Sequence, residues 1–232
     1  MRERPTSTTS ASAARHLISV DVVLLTPHGK QLAVLLQRAP ERARERWMLP
    51  WGSVSGDDVL RIAASRIAKE AAGVSPALLD QLGAFSDGKR HPAAAEITVG
   101  FFGLLPTGTP APVGGDVAWF ALDALPSLSP RQRTIVDDAL IAVRGRIDQD
   151  PIAFRLLPPT FTLSELQTMY ELLLGRRLHK ASFRRALHAA WLVEPTDEWR
   201  SEGRGRPAQL FRFAPRKRRG SRRGVRFELL GS

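Results

Sequence analysis

Between Gly52 and Val74 the chain reads GSVSGDDVLRIAASRIAKEAAGV, and no other stretch restricts the fold as much. Asp57 and Asp58 stand where a carboxylate can cap the start of a helix, and Gly73 stands where that helix must stop. Between them Leu60, Ala63, Ala64, Ile67 and Ala71 recur at helical spacing, so one face of a short helix must be buried. Positions 67, 70 and 71 follow an i, i+3, i+4 pattern and converge on one face. Here only Glu70 is acidic, beside Ile67 and Ala71, and Arg66 sits four residues before it at ion-pair spacing.

The segments around this helix read mainly as strands. Leu17–Thr26 and Gln31–Gln37 are apolar and β-branched, and Pro27-His28-Gly29 between them predicts a hairpin. Arg38–Arg46 is a charged loop leading to Trp47-Met48-Leu49-Pro50-Trp51. Leu82–Phe85 and Glu96–Leu105 predict further strands joined by the polar turn Asp87–Pro92, and Val117–Leu122 another. Pro130–Ile147 is an amphipathic helix with Ile135, Leu140, Val143 and Ile147 on its apolar side. Strands around helices of this kind suit an α/β sandwich with a mixed sheet over residues 17–148. Residues 1–16 are rich in Ser, Thr and Ala, lack the apolar core of a secretory signal, and read as a disordered start.

Asp150-Pro151 and Leu156-Leu157-Pro158-Pro159 form a joint, since consecutive prolines block helix continuation. A second domain is expected over residues 155–213. Thr162 and Glu165 make a capping box for a helix to about Leu174, which Gly175 ends. A second helix is expected over Lys180–Trp191, with Phe183, Leu187, Ala190 and Trp191 inward and Ser182, Arg184, Arg185 and His188 on other faces. A charged loop containing Gly203-Arg204-Gly205-Arg206-Pro207 and a strand Gln209–Phe213 complete the layout of a winged helix-turn-helix. Residues 214–232, with Arg216-Lys217-Arg218-Arg219, read as a basic mobile tail.

Charge separates the two halves. Residues 1–148 hold 17 Lys and Arg against 15 Asp and Glu, a net +2, whereas 149–232 hold 17 against 8, a net +9. A basic module attached to a near-neutral one suggests a polyanionic partner. The absence of cysteine excludes disulfides and zinc–thiolate sites. No run of 18 apolar residues occurs, so no membrane span is expected. His16, His28, His91, His179 and His188 show no metal-ligand spacing, and no catalytic triad or phosphate-binding loop is present.

Gly52, Asp58, Arg66, Glu70, Gly73 and Val74 stand at the spacing of a Nudix box, G-x5-E-x7-R-E-U-x-E-E-x-G-U, with Ile67 and Ala71 where Glu belongs. With LLPPTFTLSELQTMYELLLGRRLHKASFRRAL at 156–187 and GRGRPAQLFRF at 203–213, the chain resembles the Nudix-related transcriptional regulators, the NrtR-type repressors. FSDGKRHP at 85–92 matches the family's Phe-x-Asp-x-x-Arg-Asp-Pro segment, except that His91 replaces an Asp. The resemblance implies a Nudix-like sandwich followed by a winged helix-turn-helix. It implies a cytoplasmic homodimeric repressor that binds a palindromic double-stranded operator. It also implies a small-molecule effector, often ADP-ribose, with regulated genes in NAD metabolism. Relatives sense other ligands, including sugars.

For the effector, the candidate contacts are Arg38 at the end of a core strand, Trp51, Glu70, and Lys89 and Arg90 in the polar turn. Trp51 stands where the family has a second Gly, and its indole would either fill the cleft or stack on a base. For DNA, the candidates are Lys180, Ser182, Arg184 and Arg185 on the second helix and Arg204 and Arg206 in the wing. No catalytic residue, metal site or required cofactor is expected. Three alternatives stay open at this point. One is a residual Mg²⁺-dependent diphosphohydrolase using Glu70 with a carboxylate such as Glu96. Another is a regulator that senses a sugar or sugar phosphate. The third is RNA binding or scaffolding through the tail.

Overall fold

The hairpin of β1 (Ile18–His28) and β2 (Gln31–Arg38) turns at Gly29, whose φ of 61° falls in the left-handed region glycine tolerates best. This computed structural model describes residues 17–55, 57–86, 91–110, 115–147, 150–201 and 207–214. The expected disordered start and nearly all of the basic tail lie outside them. The next strands are β3 (Trp47–Met48), β4 (Trp51–Val54), β5 (Leu78–Phe85), β6 (Ile97–Leu104) and β7 (Val117–Ala121). β1 runs parallel to β6 along Ile18–Leu25 and antiparallel to β4 along Ile18–Asp21, then meets β2 from Leu25 onward. β3 and β7 pair with β2, and β5 pairs with β6. The sheet is therefore mixed, as expected.

Strand periodicity sorts the core into two layers. Val20, Val22 and Leu24 of β1 pack with Ala64, Ile67, Ala68 and Ala72 of α1 (Leu60–Ala72). Val23 and Leu25 point the other way, onto Ile135, Val136, Ala139 and Val143 of α2 (Pro130–Ile147). With both faces covered, β1 reads as a nearly continuous apolar run. The result is the helix–sheet–helix sandwich that the sequence implied. α1 ends at Gly73, in the left-handed region as anticipated, but Asp57 and Asp58 do not cap it. Val59 holds the cap position, and Asp58 instead accepts from the Ser55 amide at 2.7 Å and the Ser55 hydroxyl at 3.1 Å. Those two bonds hold the Asp58 carboxyl below the usual carboxylate range.

The joint is not bare loop. Asp150-Pro151 leads into α3 (Ile152–Arg155), one turn of helix whose Ile152, Ala153 and Phe154 are buried. Pro158-Pro159 blocks continuation past Leu156 but leaves room for this turn before it. Beyond lie β8 (Thr160–Phe161), α4 (Leu163–Leu174), α5 (Lys180–Ala190), β9 (Val193–Arg200) and β10 (Ala208–Phe213). The three strands pair in the order β8-β10-β9, and α4 with α5 forms the helix pair of a winged helix domain. The capping box forms as read: Glu165 N–H donates to Thr162 Oγ1 at 3.1 Å, and Thr162 N–H donates to Glu165 Oε2 at 2.7 Å. Trp191 departs from expectation. It ends α5 in the left-handed region and is 51% exposed, because the helix stops one residue short of carrying it inward. Phe161, Leu166, Tyr170, Phe183 and Leu187 join the same apolar cluster as the α2 face of the sandwich.

Candidate functional site

Two regions carry chemistry: the α1 face with the polar interior beside it, and the exposed side of α5. On α1, Glu70 is mostly solvent-facing, and Arg66 Nη1 sits 3.3 Å from both of its carboxylate oxygens. Ile67 turns inward and is 4% exposed. Its Cδ1 lies 3.0 Å from where a side chain on Gly52 would begin, so glycine and isoleucine fit against each other there. No group of three His, Asp or Glu side chains that could hold a metal occurs among the described residues.

A polar network crosses the sandwich interior. Asp21, wholly buried on β1, accepts from Ser19 Oγ at 2.9 Å and from Gln132 Nε2 at 2.8 Å. His91 Nε2 lies 2.9 Å from the same carboxylate. His91 Nδ1 accepts from the Ala93 amide at 3.1 Å, which leaves Nε2 to carry the proton toward Asp21. Arg131, also buried, donates to Ala95 O at 3.0 Å and to Thr98 Oγ1 at 3.3 Å. Gln132 Oε1 accepts from the Leu49 amide at 3.3 Å, so the start of α2 is tied to β1 and to the connection between β3 and β4. Sequence reading missed this network. The signal was Asp21 itself, a charge inside an apolar strand, which is buried only when partnered.

Beside the network opens a cavity of about 930 Å³. It is bounded by Arg42–Glu45 after β2, the segment around Pro92–Glu96, and Ser129–Arg131 at the start of α2. At the other end of α2 a second cavity of about 470 Å³ lies between the two domains. There Arg144 Nη2 stands 3.0 Å from where a side chain on Gly175, the left-handed end of α4, would begin.

On the DNA candidate, Phe183 and Leu187 anchor α5 while Lys180, Arg184, Arg185 and His188 are exposed and Ser182 is half-buried. Ser182 Oγ lies 3.3 Å from His179 Nδ1, and Arg185 Nη2 reaches Ser182 Oγ at 3.5 Å. The wing is tied to the helix pair at its base: Arg200 Nη1 donates to Glu165 Oε1 at 2.6 Å.

Residues 153–213 match the NrtR DNA-binding winged helix domain, and residues 15–139 match the NUDIX domain. The chain is 31% identical to the ADPR responsive transcriptional repressor NtrR of Acinetobacter baylyi, over 85% of this chain and 82% of that protein. The chain belongs to the NrtR family of Nudix-related transcriptional repressors. The crystal structure of Shewanella oneidensis NrtR complexed with a 27mer DNA is similar at TM-score 0.72 and 30% identity, covering 85% of this chain and 94% of that one. Shewanella oneidensis NrtR in a second crystal structure gives TM-score 0.73 at 28% identity, over 86% and 95%.

In this NrtR-family chain the effector candidates do not share one visible pocket wall. Arg38 lies over the Trp47 ring at 4.8 Å and donates from Nε to Gly115 O at 3.3 Å. Trp51 is half-buried and meets the His91 ring edge-on, centroids 5.3 Å apart. Neither residue, nor Glu70, lines the 930 Å³ cavity, although His91 does. Lys89 and Arg90 lie outside the described residues, as do Arg204 and Arg206 of the wing. On α5, by contrast, Lys180, Ser182, Arg184 and Arg185 do share one helix.

Proposed function

We propose that this chain is a transcriptional repressor whose Nudix-like domain senses ADP-ribose and whose winged helix reads a palindromic operator as a homodimer in the cytoplasm. One observation carries the reading. A single chain joins a Nudix sandwich to a winged helix with an exposed basic recognition helix, and it is similar along 85% of its length to a repressor named for its response to ADPR. Lys180, Ser182, Arg184 and Arg185 meet the major groove, and Arg204 and Arg206 of the wing meet the backbone beside it. Among the described residues no helix is long and apolar enough to cross a membrane. Half-sites about one helical turn apart fix the spacing of the two recognition helices, so a small reorientation on effector binding is enough to weaken the complex.

α2 supplies the mechanical link. It begins at the Asp21 network and the larger cavity, and it ends against α4 through Arg144. At 1.5 Å per residue its 18 residues span roughly 27 Å as one rigid rod. A shift at its first turn is therefore felt at the helix pair.

The test is fluorescence anisotropy on a palindromic duplex taken from upstream of the chain's own gene or its neighbours. Binding is expected to fall steeply with salt and to be reversed by ADP-ribose. Arg184→Ala and Arg185→Ala are each expected to cost about 1–3 kcal/mol of operator affinity. Equal affinity for random DNA would overturn the repressor reading.

The same proposal excludes turnover. Two of the three carboxylate positions are Ile67 and Ala71, Ile67 is packed inward, and Glu70 is paired with Arg66. Incubated with ADP-ribose and Mg²⁺, the protein is expected to release no AMP, and Glu70→Gln is expected to respond to ADP-ribose like the parent. Release of AMP that disappears in Glu70→Gln would instead establish a residual hydrolase.

A further inference from the structure

The cavity of about 470 Å³ between the domains is ringed by cations from both of them. Lys30 at the β1–β2 turn and Arg144 in the last turn of α2 come from the sandwich. Arg176 and Arg177 come from the turn that joins α4 to α5. All four are exposed, while Leu32, Leu140 and Leu172 contribute apolar lining. Four cations against two carboxylates, Asp123 and Glu171, leave a net +2. Both carboxylates already have donors. Glu171 accepts from the Leu178 amide at 2.9 Å and from Gln167 Nε2 at 3.0 Å. Asp123 faces the Gln31 side chain, whose nitrogen, oriented to donate, lies 3.0 Å from both of its oxygens.

Arg144 is the informative residue. Its guanidinium rests on Gly175, the residue that opens the turn into the recognition helix. A cation placed there only to serve the end of α4 would bond its last carbonyls. Arg144 does not, and neither it nor Arg177 has a hydrogen bond or an ion pair among the described residues. Their donors stay open to an outside acceptor. Lys180, the first residue of α5, follows Arg177 by three residues, a span of at most roughly 11 Å. The major groove is about 12 Å wide, so the phosphate wall beside a helix lying in it falls within the same range.

We propose that the sandwich itself takes part in DNA binding: Arg144 and Lys30, with Arg176 and Arg177 of the turn, hold the sugar–phosphate backbone flanking the groove that α5 enters. The assignment rests on the repressor reading above. It makes the backbone contact span both domains. A shift of the sandwich against the winged helix then draws two of the four cations off the phosphates and weakens the complex without touching a base-reading residue.

Fluorescence anisotropy of the full chain on operator and random duplexes, from about 50 to 200 mM salt, tests it. Arg144→Ala combined with Lys30→Ala is expected to weaken both duplexes alike, about tenfold or more at the lower salt. The log–log salt slope should flatten by about two per protomer. Arg144→Lys, which keeps the charge, should keep the slope. Neither side chain bonds to the rest of the protein, so the unfolding midpoint should match the parent's. If the parent binds the operator and the double variant keeps the parent's slope, the sandwich contact is overturned while the repressor reading stands. Weakening confined to the operator overturns it too, because it reports a displaced α5 and not lost phosphates. A calorimetric heat with inorganic pyrophosphate that the variant loses, at an unchanged slope on DNA, gives the cavity to a free anion instead. If the parent binds neither duplex, both readings fall.

Discussion

Replacing Phe154 by alanine is expected to destabilise the protein by about 3–5 kcal/mol, the usual cost of emptying a buried aromatic site. Phe154 is 7% exposed on the single turn of α3. Its ring meets Phe213 at 4.5 Å, Phe161 at 5.6 Å and Tyr170 at 6.2 Å between centroids. The substitution therefore strips contacts from the joint, from α4 and from the last strand of the wing at once. For a chain of this size each kcal/mol moves the midpoint by about 2–4 °C, so the drop should be roughly 6–20 °C by circular dichroism. Phe154→Leu, which keeps most of the volume, should lose far less. A drop below about 3 °C for the alanine variant would mean that this aromatic cluster contributes little to the fold.

Asp21→Ala is expected to cost about as much, 3–5 kcal/mol, for a different reason. The carboxylate collects donors from Ser19, His91 and Gln132 in the sheet interior. Its removal leaves the buried His91 and Gln132 donors facing a gap, while Ser19 Oγ keeps Thr98 Oγ1 at 3.0 Å, and each unsatisfied group carries its own desolvation cost. Denaturant unfolding should show a lower midpoint with an unchanged slope. Because Gln132 is in the first turn of α2, the variant should also blunt the response of DNA binding to ADP-ribose. A variant as stable as the parent would show that water or a shifted side chain replaces the carboxylate without loss.

These two expectations rest on features that the sequence disclosed unequally. The helix over Leu60–Ala72, its glycine stop, the capping box at Thr162 and the β1–β2 hairpin were legible because each depends on residues close in sequence. The sandwich was legible from periodicity, since alternation along β1 commits its neighbours to opposite helices. The Asp21 network was not, because His91 lies 70 residues away and Gln132 lies 111 away. No local pattern announces partners at such separations. α3 was hidden for another reason: one helical turn has no periodicity to read, and only the surrounding aromatics hold it. Asp58 looked like a helix cap because its residue type suits one, yet Ser55 offered two donors at shorter reach. Of the candidate site, the α5 residues followed from helical spacing. The larger cavity did not, because its walls come from three separate connections.

The fit of Ile67 against Gly52 has a consequence for how this protein can change. A glutamate restored at position 67 would enter an apolar layer formed by Val20, Val22, Leu24 and Ala64. An isolated carboxylate there is strongly unfavourable until a metal arrives to pair with it. A metal, in turn, needs a third carboxylate at position 71, beside Glu70, before it binds well. Neither substitution is useful without the other, and the first alone weakens the sensor. Ile67→Glu and Ala71→Glu would therefore have to arrive together, because packing on the inner side of α1 opposes the first of them.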